Sequence, residues 1–209
     1  MTKELRDEFE KELQVFLKEK LAIYPHIKTN RNKIIIDNKK GTKIEINFVY
    51  LNVSCEYAIS MSINSSEINK FINQITPPYP SNISNNNLVY YSYFANEKKY
   101  SSILLPRTDQ GKENTYNRIL EILKSIYLER AYNLIEVNNK LITNIIDNPK
   151  YYSYPFLISV YVIKHNKLSS DDINLEYLLS EKNLGFDNNK DLKISFNKKI
   201  AHNILNYNI

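Results

Sequence analysis

A chain of 209 residues, 43% hydrophobic and 24% charged, buries roughly 70% of its unfolded surface on folding. An ordinary apolar core therefore suffices, and neither a disulfide nor a structural metal is required. The net charge of +5 is the small difference between 28 basic and 23 acidic residues, and the basic residues fall in small groups (Lys28, Arg31 and Lys33; Lys39, Lys40 and Lys43; Lys98 and Lys99; Lys198 and Lys199) that read first as solvated faces.

In residues 3–23, Leu5, Phe9, Leu13, Phe16, Leu17 and Leu21 recur at spacings of three and four. That spacing predicts an amphipathic helix, which Thr2 can cap and Pro25 ends. NKIIID (32–37) and TKIEINFVYLNV (42–53) flank DNKKG, whose Gly41 can take a positive φ, so the pair reads as a hairpin. Ile44, Ile46, Phe48 and Tyr50 then share one face, with Lys43, Glu45 and Asn47 opposite. CEYAISMSI (55–63) predicts a third strand in which Cys55, Tyr57, Ile59, Met61 and Ile63 point together. SSEINKFINQI offers a Ser cap and a short helix stopped by Pro77 and Pro78. The loop 76–87 is long and polar enough to be mobile. NLVYYSYF (87–94) and YSSILLP (100–106) flank ANEKK and read as a second hairpin.

Residues 113–146 carry Tyr116, Ile119, Leu120, Leu123, Ile126, Tyr127, Leu134, Val137, Leu141 and Ile145 at helical spacing, with no Gly or Pro before Pro149. They predict one long helix that bends or breaks near VNNK (137–140), where helix propensity is low. PFLISVYVI (155–163) fits a buried helix or a buried strand, which periodicity cannot separate. SSDDINLEYLLSEK (169–182) predicts a capped helix with Gly185 as its stop. Leu192, Phe196, Ile200 and Ile204 predict a final helix.

The expected fold is α+β: a five-stranded mixed or antiparallel sheet over about 33–106, packed by an N-terminal and a long helix, then a helical C-terminal region. The expected division is a core domain at 1–148 and a helical extension at 149–209. Cys55, the single cysteine, cannot form an internal disulfide and reads as a small core residue on a strand, which suits a reducing compartment. The first twenty residues lack the apolar run of a signal peptide. FLISVYVI is far short of the ~20 residues that span a bilayer. A soluble cytoplasmic protein with no membrane contact is expected.

His26, His165 and His202 are scattered and no His or Cys pair exists, so no metal centre is expected. With three glycines the chain has no phosphate-cradling loop or dinucleotide fingerprint, so no cofactor is expected. One enzymatic arrangement is visible: Asp37 and Glu45 on paired strands, with Glu10 or Glu12 from the first helix, resemble the carboxylates that hold magnesium in restriction-type nucleases. Those enzymes place a lysine two residues after the second acid, where this chain has Asn47.

Abundant Asn, Lys, Ile and Tyr suggest an AT-rich coding sequence, so tyrosine frequency alone carries no weight. The tyrosine clusters do have a position, beside basic residues or an apolar run. Tyr90, Tyr91, Tyr93, Tyr151 and Tyr152, with Lys98 and Lys99, are the candidate partner-binding residues, because a tyrosine ring suits an interface dry at one end and wet at the other. The same side chains read first as sheet and core filling, since tyrosine is an ordinary strand former, and then as a site for protein contact or base stacking.

The order helix, three strands, helix, two strands, long helix resembles that of the small chaperones of type III secretion systems. That resemblance implies a sheet-and-helix body that binds unfolded stretches of an effector. By exclusion of chemistry, the expected function is non-enzymatic: a bacterial or phage protein that binds another protein with an acidic surface, either as an immunity protein against a toxin or as a secretion chaperone. The alternatives are a nucleic-acid binder and a magnesium nuclease.

Overall fold

A computed structural model describes residues 3–93, 103–169 and 173–207. The fold is α+β. Its sheet has six strands: β1 (Ile27–Asn30), β2 (Lys33–Asp37), β3 (Thr42–Leu51), β4 (Glu56–Ser65), β5 (Tyr90–Tyr93) and β6 (Ile103–Leu104). They are ordered β1-β2-β3-β4-β5, with β6 also paired to β4. The chain packs into two compact units. The first is Met1–Ser62 with Ser92–Ile135, and the second is Ile63–Tyr91 with Glu136–Ile209, so the division falls inside β4 and β5.

In the first unit, α1 (Lys3–Lys20) buries Phe9, Leu13 and Leu17, the predicted stripe. Phe9 meets Tyr57 of β4 at 5.4 Å between ring centroids and Tyr116 at 5.2 Å. The β2–β3 hairpin follows the expected register, with Asp37 opposite Lys43 and Ile35 opposite Glu45. Its turn uses Gly41 at φ 93° and Lys39 at φ 57°, and the Asn38 side chain accepts from the backbone N–H groups of Lys40 and Thr42. β3 alternates as predicted, burying Ile44, Ile46 and Phe48.

β1 was not foreseen. Its four residues, Ile-Lys-Thr-Asn, bury no side chain completely and carry almost no alternation. The strand exists because β2 supplies an antiparallel partner, Ile27 opposite Ile36. The Gln14 side chain donates to the Thr29 carbonyl, which occupies one acceptor of this end strand.

The second predicted hairpin is corrected. β5 and β6 each pair with β4, not with one another. At β6, Glu56 lies opposite Leu104 and Tyr57 opposite Ile103. Toward the other end of β4, Val89, just before β5, donates its N–H to the Ile63 carbonyl at 2.8 Å. β4 is buried on both faces from Tyr57 to Ile63 and is long enough to template two short strands in succession. The intervening ANEKK segment lies outside the described residues.

Cys55 is also corrected. It is half-buried, lies ahead of β4 in the turn after β3, and has a left-handed φ of 57°. Alternation therefore does not extend to it.

The long helix is three segments: α3 (Asp109–Ile122), a π-helical stretch (Leu123–Leu128) and α4 (Glu129–Leu134). Thr108 caps α3 by accepting from the Gly111 N–H. The wider π turn brings Leu123, Tyr127 and Leu128 inside together, and the Tyr127 hydroxyl donates to the Ile59 carbonyl at 3.2 Å. Helix stops at Leu134, close to the expected break. Asn138 starts the next helix, α5 (Asn139–Asp147), by accepting from the Lys140 N–H.

In the second unit, α6 (Pro155–Asn166) resolves the ambiguous 155–163 segment as a helix. Pro155 opens it, and nearly every residue from Pro155 to Ile163 is buried. With no polar face there is no period to read. Around it stand α2 (Ser66–Ile75), α5, α7 (Leu175–Leu179) and α8 (Lys190–Leu205). α7 is shorter than predicted. No helix among the described residues is long and apolar enough to cross a membrane.

The loop 76–87 is pinned. Asn82 donates its backbone N–H to the Ser153 carbonyl (2.8 Å) and its side-chain amide to the Leu184 carbonyl (2.9 Å). Its side-chain oxygen accepts from the Lys193 ammonium at 3.1 Å. Buried Tyr79 donates to Asn197 at 2.8 Å.

Candidate partner-binding surface

Tyr90, Tyr151 and Tyr152 come together. Tyr90 forms an isolated bridge with Tyr152, their rings meet edge-on at 5.0 Å, and Tyr151 adds a second edge contact to Tyr90 at 5.9 Å. Tyr90 and Tyr152 are both 0% exposed, and the Tyr152 hydroxyl donates to the Asn144 side chain at 2.7 Å. These two rings are core, with no face to offer a partner. Tyr151 and Tyr93 are half-buried and Tyr91 is exposed. Lys98 and Lys99 lie outside the described residues.

The acidic candidates are engaged within the fold, Glu45, Glu10 and Glu12 in ion pairs and Asp37 in a backbone hydrogen bond. Glu45 is held by Lys43 at 2.6 Å and Lys33 at 3.1 Å. Burial raises its pKa, but the two lysines outweigh that and hold it below the ordinary carboxylate value. Asp37, the last residue of β2, accepts from the Lys39 N–H at 2.8 Å. Glu10 accepts from Arg31 at 2.9 Å and from the Tyr57 hydroxyl at 3.1 Å, and Arg31 also pairs with Asp7. Glu12 accepts from the Tyr116 hydroxyl at 2.7 Å and pairs with Lys112 at 3.2 Å. Among the described residues no group of three or more His, Cys, Asp or Glu is placed to hold a metal ion.

The Glu12 cluster staples α1 to α3, because Lys112 also reaches Glu8 at 2.7 Å. Hydrogen bonding from Tyr116, then Lys112, depresses the Glu12 pKa. A depressed carboxylate contributes stability that is present above its unfolded pKa, about 4.3, and is lost as pH falls through the lower folded value. Lys112→Met should therefore weaken stability modestly at pH 7 and flatten its decline between about pH 5 and 2, as read by urea unfolding across that range. An unchanged acid limb would refute the assignment.

Exposed apolar side chains occur in several places, among them Val15, Ile23, Phe186 and Leu192, and one group of them lies at one end of the first unit's sheet. The outward face of β3 begins polar, with Lys43, Glu45 and Asn47, and then becomes apolar. Val49 is 39% exposed, Leu51 36%, and Val53, in the turn beyond the strand, is fully exposed. β3 ends at Leu51 and β4 begins at Glu56, whose partner across the next pairing is Leu104, itself 63% exposed. The three adjacent strands thus terminate in Leu51, Glu56 and Leu104, with Val53 projecting past them.

A side chain as exposed as Val53 contributes roughly 1.5–3 kcal/mol when moved fully from water into a contact, and the partly covered Val49 and Leu51 contribute less. Exposed apolar side chains gathered at one end of a sheet are a candidate interaction site where they form one patch. The switch from polar to apolar along the odd-numbered residues of β3 was legible in the sequence, whereas the arrival of Leu104 beside Glu56 depends on the β4–β6 pairing.

No protein-family model matches the chain, no curated protein is significantly similar to it in sequence, and no solved structure is significantly similar to its fold.

Proposed function

We propose that this chain acts by binding another protein, as an immunity protein that occupies a toxin or as a chaperone for a secreted protein in a bacterium or phage. The observation that carries the reading is the apolar end of the first unit's sheet, where Val53, in the turn after β3, and Leu104, on β6, both stand in water, with β4 between their strands. A contact of this kind places apolar anchors at its centre and polar residues at its rim, here Glu56 and the charged residues of β3. The net charge of +5 suits an acidic partner, because complementary charge speeds encounter.

The test is affinity capture from the source cells with the tagged full chain and with a Val53→Lys, Leu104→Lys double variant. Both positions are exposed, so thermal unfolding should be unchanged. The wild type should recover one partner in stoichiometric amount, and the variant should lose it at least tenfold. Recovery of no stoichiometric partner, or equal recovery by both proteins, would overturn the proposal.

A further inference from the structure

The second unit carries a pocket of about 230 Å³ where the C-terminal end of α2 and the loop 76–87 meet the residues just ahead of α6. No charged side chain lines it among the described residues, in a chain that is 24% charged. Buried Ile72 and half-buried Pro77 and Tyr154 give it an apolar wall, and the Tyr154 ring is held against Tyr79 at 5.8 Å between centroids. The other lining side chains are amides and hydroxyls, and three of them already spend a donor inside the fold. The Asn69 amide donates to the Asn87 carbonyl at 2.9 Å, the Thr76 hydroxyl to the Asn73 carbonyl at 3.0 Å, and the Ser153 hydroxyl to the Val89 carbonyl at 3.4 Å. Their oxygens keep lone pairs, so these three side chains meet a ligand chiefly as acceptors. Ser153, 4% exposed, lies at the base with Ile72, while Asn73, Thr76 and Asn86 are exposed at the mouth.

We propose that this pocket binds a neutral sugar ring, a hexopyranose, by its hydroxyl groups. A charged ligand would shed water without meeting an opposite charge, and a purely apolar one would strip water from oxygens it cannot satisfy. Hydroxyls both donate and accept. Those of a sugar can donate to the oxygens of Asn69, Thr76 and Ser153 and accept from the amides of Asn73 and Asn86, while the C–H face of the ring covers Ile72, Pro77 and Tyr154. The volume equals about eight water-sized groups at ~30 Å³ each, enough for most of one hexose ring and too little for two. The site belongs to the second unit and the proposed protein contact to the first, so either assignment can fail without the other.

The probes are the methyl glycosides of glucose, galactose and mannose, titrated into the full chain and followed by amide and side-chain amide chemical shifts. At least one should bind saturably with a Kd in the low millimolar range, as suits a ligand of this size, with shifts centred on 69–76, 86 and 153–154. Cyclohexanol, a ring of the same size with a single hydroxyl, should bind at least tenfold more weakly. Asn73→Leu with Asn86→Leu changes two exposed positions, so thermal unfolding should hold while glycoside affinity falls at least tenfold. No saturable binding of any glycoside up to ~50 mM, equal binding of cyclohexanol, or an affinity unmoved in the double variant would overturn the proposal and leave the pocket as a hydrated surface recess. If the variant fails to fold, the wild-type comparison of glycoside with cyclohexanol still decides it.

Discussion

Gly185→Ala is expected to destabilise the second unit by about 3 kcal/mol or more, from a backbone cost and a steric cost acting together. Gly185 has φ +82°, a conformation that costs an L residue roughly 1–2 kcal/mol. An added Cβ would collide with the Asn82 side-chain amide and lie 2.9 Å from the Pro149 carbonyl oxygen, which is backbone and cannot swing aside. Overpacking of this kind adds roughly 1–3 kcal/mol. The amide that must move also donates to the Leu184 carbonyl, so relief of the clash breaks a hydrogen bond that ties the loop 76–87 to the segment around Gly185. Denaturant unfolding followed by circular dichroism measures the loss, and amide exchange should show protection falling first at Asn82 and at residues 184–186. A variant within 1 kcal/mol of the wild type would show that the loop can relax around the methyl group.

That collision also explains why the loop 76–87 could not be read correctly from its own residues. TPPYPSNISNNN has the composition of a mobile loop, yet Asn82 and Tyr79 find partners at Lys193 and Asn197, more than a hundred residues later. Local composition reports what a segment cannot do alone and is silent on what distant residues supply. The same limit separates the other outcomes. α1 and the β2–β3 hairpin were legible because each has one wet and one dry face, which prints a period on the sequence. α6 has no wet face and prints none. β5 and β6 looked like a hairpin because a polar segment lies between them. Adjacency along the chain did not become adjacency in the sheet, because β4 offers both strands the same kind of partner. Alternation correctly separated Tyr90 from Tyr91. Which of the two would be covered depended on Tyr152, and only the fold brings that residue to β5.

Lys193→Met is expected to cost about 1–3 kcal/mol at pH 7 and to cost more as the pH is raised. Lys193 is 3% exposed and pairs with no carboxylate among the described residues. Its ammonium donates to the Phe186 carbonyl at 2.9 Å and to Asn82 at 3.1 Å, and it lies 5.8 Å from the centre of the Tyr79 ring. Methionine fills the space of the aliphatic stem and leaves both oxygens without their donor. Two opposing effects compete, because the substitution also relieves the burial of a cation. The oxygens dominate at neutral pH: an unsatisfied buried acceptor costs roughly 1–3 kcal/mol, while the charge is already partly compensated by those same dipoles.

Burial lowers the Lys193 pKa, and nearby Asp187 opposes the shift. The unfolded chain therefore holds this proton to a higher pH than the folded chain does, and wild-type stability rises with pH from the depressed folded value toward the unfolded one, about 10.4. Tyr79 and Tyr154 pack in the same region, and burial raises the pKa of both, which pulls stability the other way at high pH. Both proteins retain those tyrosines, so the difference between them isolates the lysine. Urea unfolding of wild type and variant at pH 7, 8.5 and 10 should give a gap that widens with pH. A gap that is constant, or that narrows, would mean that Lys193 is solvated in the folded chain and that Asn82 is held without it.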